Sequence, residues 1–384
     1  MPMPDGAVRM RPIRTRTMTP RNVVAYGLLA MVPLSVLAET LHWGDGAVFL
    51  TSALAIIPLA IWLSTATEEL AISLGPSLGA LLNAVFGNAT ELIIALTALR
   101  AGLVDIVKAS ITGTVMANLL LALGLSMLAG GIGRNEQRFQ PVVARVNGSA
   151  MTLAVLAILL PSVGSLAAAA GGGDGAVAAA GRESFSLFVA WVLLAVYGLT
   201  LLFSLRTHRS LYEVAQADSE ELVHAGEPPR VLPWVGVLLA ATLVLTYESE
   251  LFVGVVESVT EGFGLTALFT GVVLLPLLGG AAEYLTAVSM ARKDKMDLSV
   301  SVALGSTLLV ALLVVPVLVL LGPALGHPLD LSFNLYELVA VITAVVVSNL
   351  ISLDGRSDWL EGVLLLAAYL ILAAGFYFQS GALP

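Results

Sequence analysis

The sequence predicts an all-α polytopic membrane protein with about 11 transmembrane helices, and three observations carry that prediction. First, 58% of the 384 residues are apolar and only 12% are charged, with a mean hydropathy of +0.94. A soluble domain carries about 25% charged residues. Second, apolar runs too long for ordinary core helices recur along the whole chain. At about 20 residues per span, eleven spans would use about 220 residues. Third, the runs are continuously apolar instead of alternating at every second position, which selects helices over barrel strands. The net charge of -9 argues against nucleic acid as a partner. Cysteine is absent, which excludes a disulfide framework, a thiolate metal site and a cysteine nucleophile.

The spans fall at about 22–40, 46–64, 78–99, 105–129, 142–163, 184–204, 233–256, 263–290, 298–321, 334–352 and 359–379. Positive charge orients them. With a cytoplasmic N-terminus, the inside segments hold Arg9, Arg11, Arg14, Arg16, Arg21, Arg134, Arg138, Arg145, Arg206, Arg209, Arg230, Arg292, Lys293, Lys295 and Arg356. The outside segments hold only Arg100, Lys108 and Arg182. One span more or fewer would scramble this sorting. An alternative reading of the first run is a cleaved signal peptide ending near Val36-Leu37-Ala38, which leaves the other ten spans oriented as before. Residues 164–183 are rich in Ala and Gly and read as a flexible outside loop. Residues 205–232, with Glu213, Asp218, Glu220, Glu221 and Glu227, read as a cytoplasmic linker that is either simply solvated or an acidic patch that gathers cations.

The two halves match without gaps at a constant offset of 192. Gly79 pairs with Gly271, Gly87 with Gly279, Ala89 with Ala281, Glu91 with Glu283, Ala95 with Ala287, Asp105 with Asp297 and Gly113 with Gly305. The acidic matches are the informative ones in so apolar a chain. The resulting organisation is a cytoplasmic N-terminus and leading helix (1–45), a first five-helix repeat (46–204), the acidic linker (205–232) and a second five-helix repeat (233–384). Five is odd, so the second repeat must cross the membrane upside down. Inverted repeats of this kind are a recurring plan of secondary transporters, with the substrate near the midplane.

The candidate site centres on Glu91, in the middle of the span 78–99. A charge there costs at least about 2.5–3.5 kcal/mol, so it is functional by default. Asn83, Gly87 and Glu91 follow at intervals of four, with Asn88 three before Glu91, which predicts one oxygen-bearing helical stripe. Glu283, behind the pair Gly279-Gly280, is the counterpart in the second half. All four histidines lie outside the spans, so an intramembrane site would be made of oxygens. Such a site favours hard ions such as Ca²⁺, Mg²⁺ or Mn²⁺. The following spans add Thr114 and Asn118 beside Gly113, and Ser306 and Thr307 beside Gly305. Small residues there also serve helix packing. Glu68-Glu69 are read in a loop before the Glu91 span, as a solvated interface or an ion-attracting vestibule. Glu250 and Glu257 share one face near an outer helix end, and Glu337 and Glu361 lie one turn inside their spans.

The run Gly87-Asn88-Ala89-Thr90-Glu91-Leu92-Ile93 resembles the first motif of the calcium/proton antiporter family, within the cation/calcium exchanger superfamily. The resemblance extends through Thr67-Glu68-Glu69-Leu70-Ala71, Gly79 to Leu99, Lys108-Ala109-Ser110, Asn118 to Gly131, Leu205–Glu213, Gly279–Glu283, Lys293 to Leu298, Gly305-Ser306, Pro316-Val317-Leu318 and Asp358 to Gly362. It implies one leading helix plus two inverted five-helix repeats, with Glu91 and Glu283 binding Ca²⁺ and protons alternately. The chain departs from the family where the second motif usually reads Gly-Asn-Ala-Ala-Glu-His. Gly280 stands in the place of Asn, Tyr284 in the place of His and Leu309 in the place of a customary Gln. An amide at 280 would add an oxygen, so Gly280→Asn is expected to tighten calcium dependence unless Tyr284 or a neighbouring helix already fills that space.

These readings imply a secondary active transporter that exchanges Ca²⁺ or a related divalent cation for protons. Its metal-binding residues would be drawn from Glu91, Glu283, Asn88, Asn118, Ser306, Thr114 and Asn83. Two ionised carboxylates buried together without an ion would repel and be poorly solvated, so protons bind when the metal leaves. The alternatives are coupling to Na⁺ or K⁺ on the same scaffold, and a passive cation channel. An intramembrane enzyme lacks its ligands, since there is no His-Glu-x-x-His, no Cys and no intramembrane His. No cofactor is called for, Ca²⁺ and protons being transported ions. The partners are the lipid bilayer, the cation and protons, with room for an oligomer. Arg exceeds Lys by 15 to 3 and the loops are short, which points to a bacterial inner membrane.

Single cysteines introduced into this cysteine-free chain test the topology. Those in the N-terminal segment and in residues 205–232 are expected to react with membrane-impermeant reagent only from the cytoplasmic side, and one beside Pro384 only from outside. A cytoplasmic C-terminus would remove the eleven-span arrangement.

Overall fold

The computed structural model describes residues 26–171, 175–207 and 230–379. The N-terminal arginine cluster, most of the 205–232 linker and Pro384 lie outside them. The helices in chain order are α1 (Leu28–Thr40), α2 (Asp45–Leu74), α3 (Pro76–Phe86), α4 (Ala89–Arg100), α5 (Val104–Gly131), α6 (Pro141–Gly171) and α7 (Gly175–Leu202). After the linker come α8 (Val231–Gly262), α9 (Ala267–Gly279), α10 (Ala281–Arg292), α11 (Met296–Leu321), α12 (Leu335–Ile351) and α13 (Trp359–Gln379). Seven described helices are long and apolar enough to cross a membrane, and the bent pair α9–α10 makes an eighth span. The shorter apolar helices α1 and α12 and the broken pair α3–α4 account for the remaining three runs read from the sequence.

Three elements differ from the sequence reading. Helix α2 continues to Leu74, so Glu68 and Glu69 lie within its last turns and not in a loop. The stretch 164–183 is mostly helical, because α6 runs to Gly171 and α7 begins at Gly175. Alanine is the strongest helix former, and a run of it extends a helix as readily as glycine loosens one. The span carrying Glu91 is not one helix but two, α3 and α4.

The equivalent helices α2 and α8 pack along each other, with Phe49 and Phe252 stacked at 5.0 Å. Ser258 Oγ donates to Asp45 Oδ2 where the start of α2 meets the last turns of α8 (2.6 Å). At the opposite end, a two-residue ribbon joins the repeats, β1 (Gln137–Arg138) pairing antiparallel with β2 (Arg356–Ser357). Gln137 Nε2 donates to Ala291 O (2.9 Å) and Asp294 Oδ1 (2.8 Å), tying this ribbon to the end of α10. Two acids read near span ends turn out to be caps. Asn334 and Glu337 form a reciprocal capping box at the start of α12, and the Glu361 carboxylate accepts from the Asp358 N–H before α13.

The loop between α11 and α12 is anchored by Asp330. Its carboxylate accepts from Lys108 Nζ in the first turns of α5 and from Ser332 Oγ at 2.6 Å, with Arg182 Nε of α7 3.7 Å away. Partial burial opposes its charge, but the bonds from Lys108 and Ser332 outweigh this and hold the carboxyl below its ordinary 3.8. A carboxyl held down in this way stabilises the fold above the ordinary range, and that contribution fades as pH falls through the lowered value. Asp330→Asn is therefore expected to lower the midpoint of thermal unfolding in detergent at neutral pH, at a cost of about 1–3 kcal/mol. The gap from the wild type should narrow below about pH 4, and a gap independent of pH would rule out the ion pair as its cause.

Candidate ion-binding site

Both repeats break their helix at the same place. In the first repeat, α3 ends at Phe86 and α4 begins at Ala89, with Asn88 at φ -119° and ψ 35° between them. In the second, α9 ends at Gly279 and α10 begins at Ala281, with Gly280 at φ -81° and ψ 5°. The two halves of the second break meet at 61°. Gly87-Asn88 and Gly279-Gly280 are poor helix residues, so the chain yields there at low cost. Each break leaves a new helix N-terminus inside the membrane, and Glu91 and Glu283 each sit in that first turn. Unpaired backbone N–H groups and the helix dipole favour a carboxylate at such a position.

The breaks meet one another. Gly279 backs onto the Glu91 side chain so closely that a Cβ on it would lie 3.2 Å from Glu91 Cγ. Glu91 is buried, and neither carboxylate oxygen has a hydrogen-bond partner among the described residues. Glu283 is half-buried. An acid placed in an apolar interior with no donor on it is costly to ionise unless a cation lies beside it.

A set of polar residues spanning both repeats surrounds this centre. Asn88 Nδ2 donates to Ser306 Oγ at 2.7 Å, and Asn118 Nδ2 donates to the same oxygen at 3.0 Å. All three residues are buried. Holding both NH₂ groups on one hydroxyl fixes the orientation of the two amides relative to each other. Asn118 lies in a π-helical turn of α5 (Ala117–Ala122), and α11 has a similar turn (Val310–Val314) at nearly the equivalent place. Widened turns of this kind recur at functional sites. Among the described residues no three His, Asp or Glu converge as a metal cluster, so a bound cation would draw on amide and backbone oxygens beside the two acids.

Two of the sequence-predicted residues stand apart. Asn83 is exposed on α3, because the break at Gly87-Asn88 ends the stripe that spacing alone would continue. Thr114 is buried, but its hydroxyl donates to Ser110 O within α5 at 2.9 Å. The space opened by Gly280 is filled by the Tyr284 ring, which a Cβ at 280 would strike. The condition attached to Gly280→Asn is therefore met, and the expectation of tighter calcium dependence gives way to a clash. Leu309 lies against Gly87, 3.2 Å from where its Cβ would be.

One buried acid escaped the sequence reading. Glu248 is wholly buried on α8, with Ser35 Oγ of α1 2.6 Å from its Oε1. It sits two residues from exposed Glu250, which pairs with Arg100 at 3.4 Å. The buried face of α8 was legible in Leu245 and Phe252, three before and four after Glu248.

Comparison with known proteins agrees with this architecture. The family described as sodium/calcium exchanger protein matches residues 44–206 and 233–378. A protein named Ca(2+)/H(+) antiporter from Aphanothece halophytica is 52% identical over 369 residues, covering 94% of this chain and 97% of that protein. The structure of native YfkE superposes with a TM-score of 0.78 at 38% identity, over 92% of this chain and 99% of that one. The H+/Ca2+ exchanger CAX shares the fold at a TM-score of 0.67, with 15% identity, over 94% of this chain and 93% of that one. With two matched segments that take in both helix breaks and both acids, the chain belongs to the sodium/calcium exchanger protein family.

Proposed function

We propose that the protein exchanges Ca²⁺ for protons across the membrane. The observation that carries this reading is the contact of Glu91, buried and without a donor, against the Gly279-Gly280 break that precedes Glu283. A cation held there by two carboxylates is neutralised, and Asn88, Asn118 and backbone oxygens can complete the 6–8 ligands that Ca²⁺ takes. When the metal leaves, two bare charges in an apolar interior are too costly, and protons take its place. The site therefore changes sides carrying metal or protons, and the two flows are coupled. The Ca(2+)/H(+) antiporter name of the Aphanothece halophytica relative supports the same reading. We place the protein in a bacterial inner membrane with its N-terminus in the cytoplasm and its C-terminus outside.

Unequal packing of equivalent glycines supports alternating access. Gly113 of α5 backs directly onto α9, so that a Cβ on it would strike Val272 O and lie 2.6 Å from Pro276 Cγ, and a Cβ on Gly271 would strike Ala109 of α5. Their counterparts differ. A Cβ at Gly305 of α11 would meet nothing within 4 Å, and Gly79 of α3 lies against Ala71 of α2 instead of against α11. So α9 is closed onto α5 while α3 stands away from α11. In the proposed orientation this shuts the outer path and opens the cytoplasmic one. The opposite state would close α3 onto Gly305 as α9 now closes onto Gly113.

In proteoliposomes with Na⁺ and K⁺ held constant, Ca²⁺ is expected to drive proton movement, and Glu91→Gln and Glu283→Gln should each abolish it while the protein stays folded. Near-normal exchange in either variant would remove that residue from the mechanism. Gly305→Leu adds bulk where there is now open space, so the protein should fold normally yet exchange at least about tenfold more slowly. Undiminished exchange by folded Gly305→Leu would exclude the closed contact of α3 with α11.

A further inference from the structure

The two breaks are equivalent in backbone but not in chemistry. Where the first repeat has Asn88 and Leu92, the second has Gly280 and Tyr284. The Tyr284 ring lies against Gly280, and its hydroxyl donates to Pro276 O on the far side of the break at 2.9 Å. The Gly280 N–H donates to the same carbonyl at 2.9 Å. A carbonyl oxygen has two lone pairs, and here both are taken. Tyr284 is buried beside Glu283 in the first turn of α10, and the Gly279-Gly280 break that its ring lies against backs onto Glu91.

We propose that Tyr284 is a positioning and selectivity residue: it braces the second break by clasping Pro276 O, and by occupying that oxygen it limits how many ligands the second repeat offers the cation. Gly280 is its necessary companion, because any side chain at 280 meets the ring. The pair thus replaces an amide ligand with a brace. The limit falls hardest on an ion that needs many protein oxygens, and least on Mg²⁺, which keeps several of its waters. This inference rests on the divalent-cation reading above, so its test separates the two.

Calcium and magnesium binding to the full-length protein in detergent is measured beside metal-driven proton movement in proteoliposomes. Wild-type protein that neither binds Ca²⁺ nor couples it to protons would overturn the functional reading itself. Given a functional wild type, Tyr284→Phe keeps the ring and releases one lone pair of Pro276 O. It is expected to lower the half-saturating Ca²⁺ concentration by about three- to tenfold, a step the size of one hydrogen bond, with the Mg²⁺ value little changed. A purely structural tyrosine would instead lower the yield or the maximal rate and leave the Ca²⁺ to Mg²⁺ ratio alone, and that result overturns the proposal. The cycle of Gly280→Asn, Tyr284→Leu and their double variant reads the space between them. Gly280→Asn alone should lose Ca²⁺ binding by tenfold or more, and the double variant should regain most of it. Additive losses would show that the ring and Gly280 are not coupled.

Discussion

A carboxylate cannot be left bare in the interior of a membrane protein, and the rest of this structure depends on that constraint. Glu91 accepts no hydrogen bond from the described residues around it, so in the exchange proposed above its neutrality comes from a proton or from a cation shared with Glu283. The helix breaks follow from the same need. A continuous helix would consume its backbone groups internally, whereas a broken one presents a fresh N-terminus to the acid and frees carbonyls on the other side of the gap. The paired amides on Ser306 serve the proposed exchange too, since tethering their nitrogen ends to one hydroxyl fixes both side chains beside the first break.

The sequence made the scaffold legible because bilayer burial demands long apolar runs, and each run found became a helix or a helix pair. The repeat was legible because a mid-membrane Glu is too expensive to recur by accident at a fixed offset. Local geometry was harder to read. A stripe at intervals of four presumes an intact helix, so the spacing placed Asn83 beside Glu91, and the break at Gly87-Asn88 exposed it instead. The Ala-rich stretch around residue 170 was read through its glycines and folded through its alanines. Glu248 was passed over because its neighbour Glu250 faces water, and two residues along a helix are enough to turn from a wet face to a buried one.

The bond between Ser35 and Glu248 bears on what the leading helix is for. Ser35 Oγ lies 2.7 Å from Val32 O as well as 2.6 Å from Glu248 Oε1. A hydroxyl has one hydrogen. That hydrogen serves two acceptors, and the bond to Glu248 is the one that crosses between helices. The bond ties α1 to α8, and so to α2, which packs along α8.

Pseudo-symmetry explains why the two breaks need not be chemically alike. Alternating access requires that the two halves exchange conformations, and so that their backbones be interchangeable. It does not require that both supply the same ligands. Here the first repeat supplies the amides, Asn88 and Asn118, while the second supplies the hydroxyl of Ser306 that orients them. Were both breaks to carry amides, more protein oxygens would reach the ion and fewer waters would stay on it. Replacing one amide with a tyrosine clasped to the backbone holds the second break firm while sparing a ligand. An exchanger must release what it binds, and a site with fewer ligands holds its cation less tightly and lets protons displace it more readily. The asymmetry of Gly280 and Tyr284 is thus an adjustment of release, made in the half of the site that the shared backbone plan leaves free to vary.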